Sequence, residues 1–369
     1  MDIKDIFPYE KPIKLSADFN QQLDKRRMKY KADKTQVEGE TVRIDIDNIK
    51  DIPDGKIRFD VDDVGFECFF HKGTSEKLYI ILNGGLTRSG KNNLPRFNRW
   101  SYYLFCEHSW LSIEDPTYFD NKDVIVGWFY GTENKNYRQY VAYIAEKICG
   151  HLNISKDDVC FWGSSSGGTA AIHSAALFGG GVAVSLNGQI NFEYDYRDVL
   201  EFIQYTKIDL HKADKWDRNN ICKIISEAKN VKFILIENCR SRWDIDDHLM
   251  YLCNGLSCPL PEYGISQFNN ITTWIYDAPA KFKNSGHVCW ETKNIFYAID
   301  FLVGLVRDND DIQRYKPLYL LFNEFWYEIY YPAMKFRVDD KETLSVGELI
   351  SKLTWNRQIK SASSSKLKK

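Results

Sequence analysis

The chain has 369 residues, 44% of them hydrophobic, and its 49 basic and 51 acidic side chains leave a formal charge of -2, so it can bury one large core with smaller appendages. Near-neutral charge without a local basic stripe excludes the electrostatic footprint of nucleic-acid binding, and no apolar run approaches the roughly twenty residues that span a bilayer. The nine cysteines contain no Cys-x-x-Cys pair, and Cys106 with His108 has no second ligand pair, so reduced core thiols are expected and no metal site.

Met1 to Phe7 lack the basic start and apolar stretch of a secretory signal, and a cytoplasmic location is expected. Residues 1–38 are polar, with a helix-like stretch at 20–31 that reads as an arm laid over something else. From Thr41 the pattern alternates, in Val42-Arg-Ile-Asp-Ile and Ile57-Arg-Phe-Asp-Val with Asp54-Gly55 between them, which predicts a small antiparallel β extension. Leu78-Tyr-Ile-Ile-Leu, ending at Asn83-Gly84-Gly85, and Asp123-Val-Ile-Val-Gly-Trp read as buried parallel strands. Residues 137–151 read as an amphipathic helix with Tyr140, Ile144 and Ile148 on one face.

Val159-Cys-Phe-Trp is the next strand, followed by Gly163-Ser-Ser-Ser-Gly-Gly and a small-residue helix over 169–178. Val182-Ala-Val-Ser-Leu, Val231-Lys-Phe-Ile-Leu-Ile and Thr272-Thr-Trp-Ile-Tyr supply further strands, with helical segments at 221–229 and 247–253. Alternation of β and α predicts a doubly wound, mostly parallel sheet. The aromatic stretch 192–205 suggests a lid, and residues 295–305 the last core helix. The aromatic helical segment containing 315–331 reads as packing surface, against the amino-terminal extension or a second subunit in a homo-oligomer. The Ser- and Lys-rich end, 361–369, reads as disordered. These readings divide the chain into an arm and β extension (1–75), a core (76–308) with a cap around 189–230, and a helical appendage with its tail (309–369).

Gly163-Ser164-Ser165-Ser166-Gly167 fits Gly-x-Ser-x-Gly between a strand and a helix, the context in which a sharp turn presents a serine nucleophile on an α/β-hydrolase sheet. Ser165 is therefore the candidate nucleophile. A hydroxyl needs a base, and the fold's order is Ser, then Asp or Glu, then His. Of His211, His248 and His287, the last lies in the polar stretch Asn284-Ser-Gly-His-Val, after the final predicted strand and before the last helix. His287 is the candidate base. The orienting acid is sought after the strand ending near Glu237, where Asp244 comes first and Asp247 is the alternative; Asp246 and Asp247 also suit the start of a helix. Oxyanion donors are expected from the backbone of Ser166 and of the Gly84-Gly85 turn. Arg96 and Arg99 suit an anionic substrate group or structural ion pairs equally.

The strand ending in Asn83-Gly-Gly, the segment Arg96-Phe-Asn-Arg-Trp, Ser112-Ile-Glu-Asp-Pro-Thr, the Gly163-Ser-Ser-Ser-Gly-Gly turn and Ser285-Gly-His together resemble bacterial α/β-hydrolase proteins of cell-surface polysaccharide loci. These include capsule O-acetyltransferases and a hydrolase-like component of the accessory secretion system for glycosylated adhesins. The resemblance covers roughly residues 76–305. It implies acetyl-CoA as a co-substrate rather than a bound cofactor, an acetyl-serine at Ser165, and a glycan hydroxyl as acceptor. Esterase or thioesterase action, and a non-catalytic scaffold in export, are the alternatives; the transferase and hydrolase readings share the same chemistry.

Overall fold

The computed structural model describes residues 37, 39–86, 94–193, 196–277, 280–282, 285–289 and 293–324. The helix expected at 20–31, the part of the aromatic appendage beyond residue 324 and the tail at 361–369 lie outside the described residues.

Among the described residues ten strands form one sheet. They are β1 (Val42–Ile44), β2 (Gly55–Val61), β3 (Val64–His71), β4 (Leu78–Leu82), β5 (Ser109–Ile113), β6 (Val159–Ser164), β7 (Val182–Leu186), β8 (Lys232–Asn238), β9 (Gly264–Phe268) and β10 (Ile271–Tyr276). Their order in space is β1-β2-β3-β5-β4-β6-β7-β8-β10-β9. From β5 through β4, β6, β7 and β8 to β10 all neighbours are parallel, and the β2–β3 hairpin joins β5 antiparallel. An antiparallel hairpin leading into a parallel run with one crossed pair, β5 before β4, is the strand order of the α/β-hydrolase fold.

The alternation of side chains explains the layers. Leu78, Ile80 and Leu82 of β4, Phe161 of β6 and Phe233 and Leu235 of β8 face one core, with α1 (Tyr137–Leu152), α2 (Ser166–Phe178), α4 (Ile221–Glu227) and α5 (Met250–Gly255) behind it, α3 (Arg197–Thr206) lying between α2 and α4 in the chain. Tyr79, Ile81, Trp162, Ile234 and Ile236 face a second core under α6 (Lys293–Arg307) and α7 (Lys316–Glu324). Strands buried on both faces read as unbroken apolar runs.

Two expectations are corrected. Residues 42–44 and 57–59 pair parallel, not antiparallel; the hairpin turn comes one strand later, between β2 and β3, through Asp62 and Asp63, both at positive φ. The β extension is thus the edge of the main sheet. The run at Val124–Trp128 is not a strand, although Val124, Val126 and Trp128 are buried. Trp128 and Phe129 take left-handed backbone, and the amide of Phe129 donates to the Asp115 carboxylate at 2.7 Å rather than to a neighbouring strand. The place beside β4 belongs to Ser109–Ile113. Among the described residues no helix is long and apolar enough to cross a membrane.

Candidate active site

The chain leaves β4 toward β5 on one side and leaves β6 toward β7 on the other. Such a switch point opens a crevice at the carboxyl ends of the strands. Ser165, immediately after β6, stands at that point with φ 55° and ψ -127°, a conformation that non-glycine residues adopt only under constraint. The constraint is visible: the Ser165 amide donates to the Leu186 carbonyl at 3.0 Å, and its carbonyl accepts from Gly168 and Gln189 at 3.0 and 3.2 Å. The turn closes so tightly that a β-carbon on Gly163 would lie 2.0 Å from the Gly167 carbonyl oxygen. Glycine is required there for space.

His287 comes from β12 (Ser285–Cys289), which pairs with β11 (Ala280–Phe282) in a separate hairpin rather than standing in an open loop. Its backbone is fixed by Asn187, whose amide group donates to the His287 carbonyl at 2.6 Å, and by Asn238, which donates to the Gly286 carbonyl at 2.9 Å. Neither asparagine stands out in the sequence, since each follows or ends an ordinary apolar strand. The His287 ring reaches Ser165 Oγ with Nε2 at 2.9 Å and Asp244 Oδ1 with Nδ1 at 2.6 Å. With Asp244 ionised, Nδ1–H donates to the carboxylate and Nε2 is left as acceptor for the serine hydroxyl.

Asp244 is fully buried on a π-helical turn, Trp243–Leu249, that leads into α5. Such a turn carries one extra residue per i→i+5 bond, which re-aims a side chain that an ordinary helix would present elsewhere. Asp247, on the same turn, is represented at the site by its backbone carbonyl, which accepts from the Asn191 side chain at 3.0 Å. Trp243 packs its ring 4.8 Å from that of His287, and Tyr196 packs edge-on against Trp243 at 5.2 Å. His248 is buried beside them; its Nδ1 accepts from the Asn191 amide at 3.1 Å, and burial drives it down to about 4, so the ring is neutral.

Ser166 opens α2, where first-turn amides have no partner within the helix. Gly84 lies against the same turn: a β-carbon there would sit 2.7 Å from the Ser164 carbonyl oxygen. Leu86 commits its amide to Ile125 at 2.7 Å, and Tyr118 donates its hydroxyl to the Gly84 carbonyl at 3.1 Å. Asn83 accepts the Asp115 amide at 2.8 Å, anchoring the Asn83-Gly84-Gly85 turn to the end of β5. The next residue back, Glu114, is fully buried and accepts the Arg96 amide at 3.1 Å; burial pushes its carboxyl up to about 7. Arg96 is exposed, whereas the Arg99 guanidinium lies over the Trp162 ring at 5.3 Å. Among the described residues no group of three or more His, Cys, Asp or Glu is arranged to hold a metal ion.

One further carboxyl is absent from the sequence reading. Glu237, at the carboxyl end of β8, is 2% exposed and accepts the Gly188 amide at 3.4 Å through Oε1. A glutamate inside Phe-Ile-Leu-Ile-Glu-Asn, an otherwise buried strand, is the signal that would find it.

The chain matches no family model, and no curated protein matches its sequence. Solved structures are similar to it in fold. A mutant capsule O-acetyltransferase of Neisseria meningitidis serogroup A in complex with CoA shares 17% identity over 68% of this chain and 94% of that one, with a TM-score of 0.43. The glycosylation-associated Gap123 complex of Streptococcus agalactiae shares 16% over 60% of this chain, TM-score 0.42, and this chain spans 42% of its length. An acetyl xylan esterase from Paenibacillus sp. R4 shares 12% over 82% of this chain and 99% of that one, TM-score 0.43.

Proposed function

We propose that the protein is a serine-dependent acyl-transfer enzyme in which Ser165 is the nucleophile, His287 its base and Asp244 the carboxylate that orients and stabilises the imidazolium. The observation that carries this reading is the unbroken chain from Ser165 Oγ through both ring nitrogens of His287 to a fully buried Asp244, at 2.9 and 2.6 Å. Ser165 Oγ attacks an ester or thioester carbonyl while its proton passes to Nε2; the same proton then goes to the leaving oxygen or sulfur, giving an acyl-serine. The amides of Ser166 and of the Gly84-Gly85 turn take the oxyanion. A second attacking hydroxyl, deprotonated by His287, releases the acyl group and regenerates Ser165.

The acceptor we propose is a hydroxyl of a bacterial capsular or cell-surface glycan, with acetyl-CoA as donor. This rests on the sequence motifs that resemble polysaccharide O-acetyltransferases and on the aromatic wall of Trp243 and Tyr196 beside His287, since aromatic faces suit the apolar faces of sugar rings. Arg96, which is exposed, is the proposed contact for an anionic group of the donor. Water as acceptor gives an esterase, and the partial exposure of Ser165 favours that second reading.

A fluorophosphonate probe and p-nitrophenyl acetate test the shared chemistry. One adduct on Ser165 is expected, absent from Ser165→Ala, with turnover cut on the order of 10³-fold or more in His287→Ala. A folded wild-type protein that neither labels nor turns over the ester sinks the enzyme reading and favours the scaffold.

A further inference from the structure

The segment after β7 lies against the nucleophile. The Gln189 backbone amide donates to the Ser165 carbonyl at 3.2 Å, and the Gln189 carbonyl accepts the Thr169 hydroxyl, so this side chain starts beside Ser165. It is 5% exposed, and its Nε2 donates to Asp198 Oδ2 at 3.4 Å. Asp198 stands in the first turn of α3. Tyr196, immediately before that helix, packs on Trp243 at 5.2 Å, and Trp243 lies 4.8 Å from the His287 ring. Two contact paths, one from Ser165 and one from His287, therefore hold the start of α3 against the candidate site.

An acid in a first turn suits the helix dipole, but the dipole does not call for a buried glutamine to be spent on it. The adjacent cation does not neutralise Asp198, because Arg197 bonds Glu201 at 2.9 Å instead. Burial pushes the Asp198 carboxyl up, and the Gln189 amide, which donates to its charged form, pulls it back. A half-exposed carboxylate held by a neutral amide has lone pairs left for O–H donors, which it binds at charge-assisted strength, and it repels an anionic group.

We propose that Asp198 binds the acceptor, taking a hydroxyl of an uncharged polyhydroxyl ring near the hydroxyl that is acylated, and that Gln189 is the positioning residue that aims it. The inference rests on the acyl-transfer reading above and names the chemistry of the acceptor at this subsite. In the transfer step the attacking hydroxyl oxygen bonds to the acyl carbon of acyl-Ser165 while its proton passes to His287 Nε2. The bond from the acyl carbon to Ser165 Oγ then breaks, and the proton goes to Oγ. Asp198 takes no proton in this sequence; it holds the ring so that a sugar hydroxyl attacks in place of water.

The test gives p-nitrophenyl acetate to the wild type, Asp198→Asn and Gln189→Met in the presence of methyl glucoside or methyl glucuronide, and quantifies acetylated sugar and free acetate. Both products leave one acyl-serine, so their ratio does not depend on how fast it forms, and a substitution that merely slows acylation does not move it. With methyl glucoside the ratio of acetylated sugar to acetate is expected to fall about tenfold or more in Asp198→Asn, and in the same direction in Gln189→Met. The preference for the glucoside over the anionic glucuronide is expected to fall with it. Where Asp198→Asn does not fold, Gln189→Met carries the same comparison. An unchanged ratio and preference overturn the proposal. A wild type that prefers the glucuronide, or that acetylates neither sugar while Ser165 still releases acetate, also overturns it and leaves the serine chemistry standing. A wild type that releases no acetate overturns the acyl-transfer reading itself.

Discussion

Replacing Glu114 with glutamine isolates the energetic cost of holding the loop before the candidate site. The side chain is fully buried, and glutamine retains an oxygen to accept the Arg96 amide that Glu114 Oε2 accepts at 3.1 Å. Burial raises the folded-state carboxyl from 4.5 to about 7. The folded protein therefore binds more protons than the unfolded chain between those values, and stability falls as pH rises through that window. Each pKa unit is about 1.4 kcal/mol, so the full effect above pH 7 is about 3 kcal/mol. Glutamine titrates in neither state and escapes the loss. Glu114→Gln is expected to unfold near the wild-type temperature at pH 4.5 and about 4 °C higher at pH 8, taking a typical unfolding entropy per residue. Calorimetric scans of both proteins across that range check this. A difference in unfolding temperature that is constant with pH refutes the reasoning, because a packing effect of the substitution has no reason to follow the titration.

Gly163→Ala places a β-carbon 2.0 Å from the Gly167 carbonyl oxygen, so the turn must open; loss of Ser165 labelling on the order of 10²-fold is expected, with retained sheet content by circular dichroism. Arg218 is 1% exposed and binds Asp214 at 2.8 Å and the Tyr130 carbonyl at 2.5 Å, clamping the segment after β7 to the loop before α1. Arg218→Ala is expected to cost about 3–5 kcal/mol in urea unfolding. Trp243→Ala removes the ring beside His287 and is expected to lower kcat/KM for small esters by about tenfold to a hundredfold, read in steady-state kinetics.

The sequence makes the strand–turn–helix around Ser165 legible because strand, glycines and small-residue helix are contiguous, and each has its own local signal. The same locality makes 137–152 and 293–307 readable as helices. Pairing is not local. Nothing in Val42-Arg-Ile shows that it runs parallel to β2, and Ser109-Trp-Leu-Ser-Ile, with buried serines, lacks the unbroken apolar signature of β5's neighbours. Val124–Trp128 carries that signature and is irregular; its Ile125 carbonyl accepts the Leu86 amide and its Gly127 carbonyl the Tyr130 amide, bonds of a loop and a turn that no local pattern announces. At the site, spacing marks a serine and a late histidine, but Asp244 and Asp247 are three residues apart on a turn. Which one faces His287 depends on a π-helical register that propensity does not encode. Glu237 escapes because the cover over its carboxyl comes from elements distant in sequence, among them the Gly188 amide.

The most direct test of the acyl-transfer reading is the intact mass of the protein after incubation with acetyl-CoA, for the wild type, for Ser165→Ala, and for the wild type with a capsular glycan added. The account predicts a gain of one acetyl group in the wild type, none in Ser165→Ala, and discharge of the adduct by the glycan. Unchanged mass, with thioester loss equal in wild type and Ser165→Ala, would contradict it.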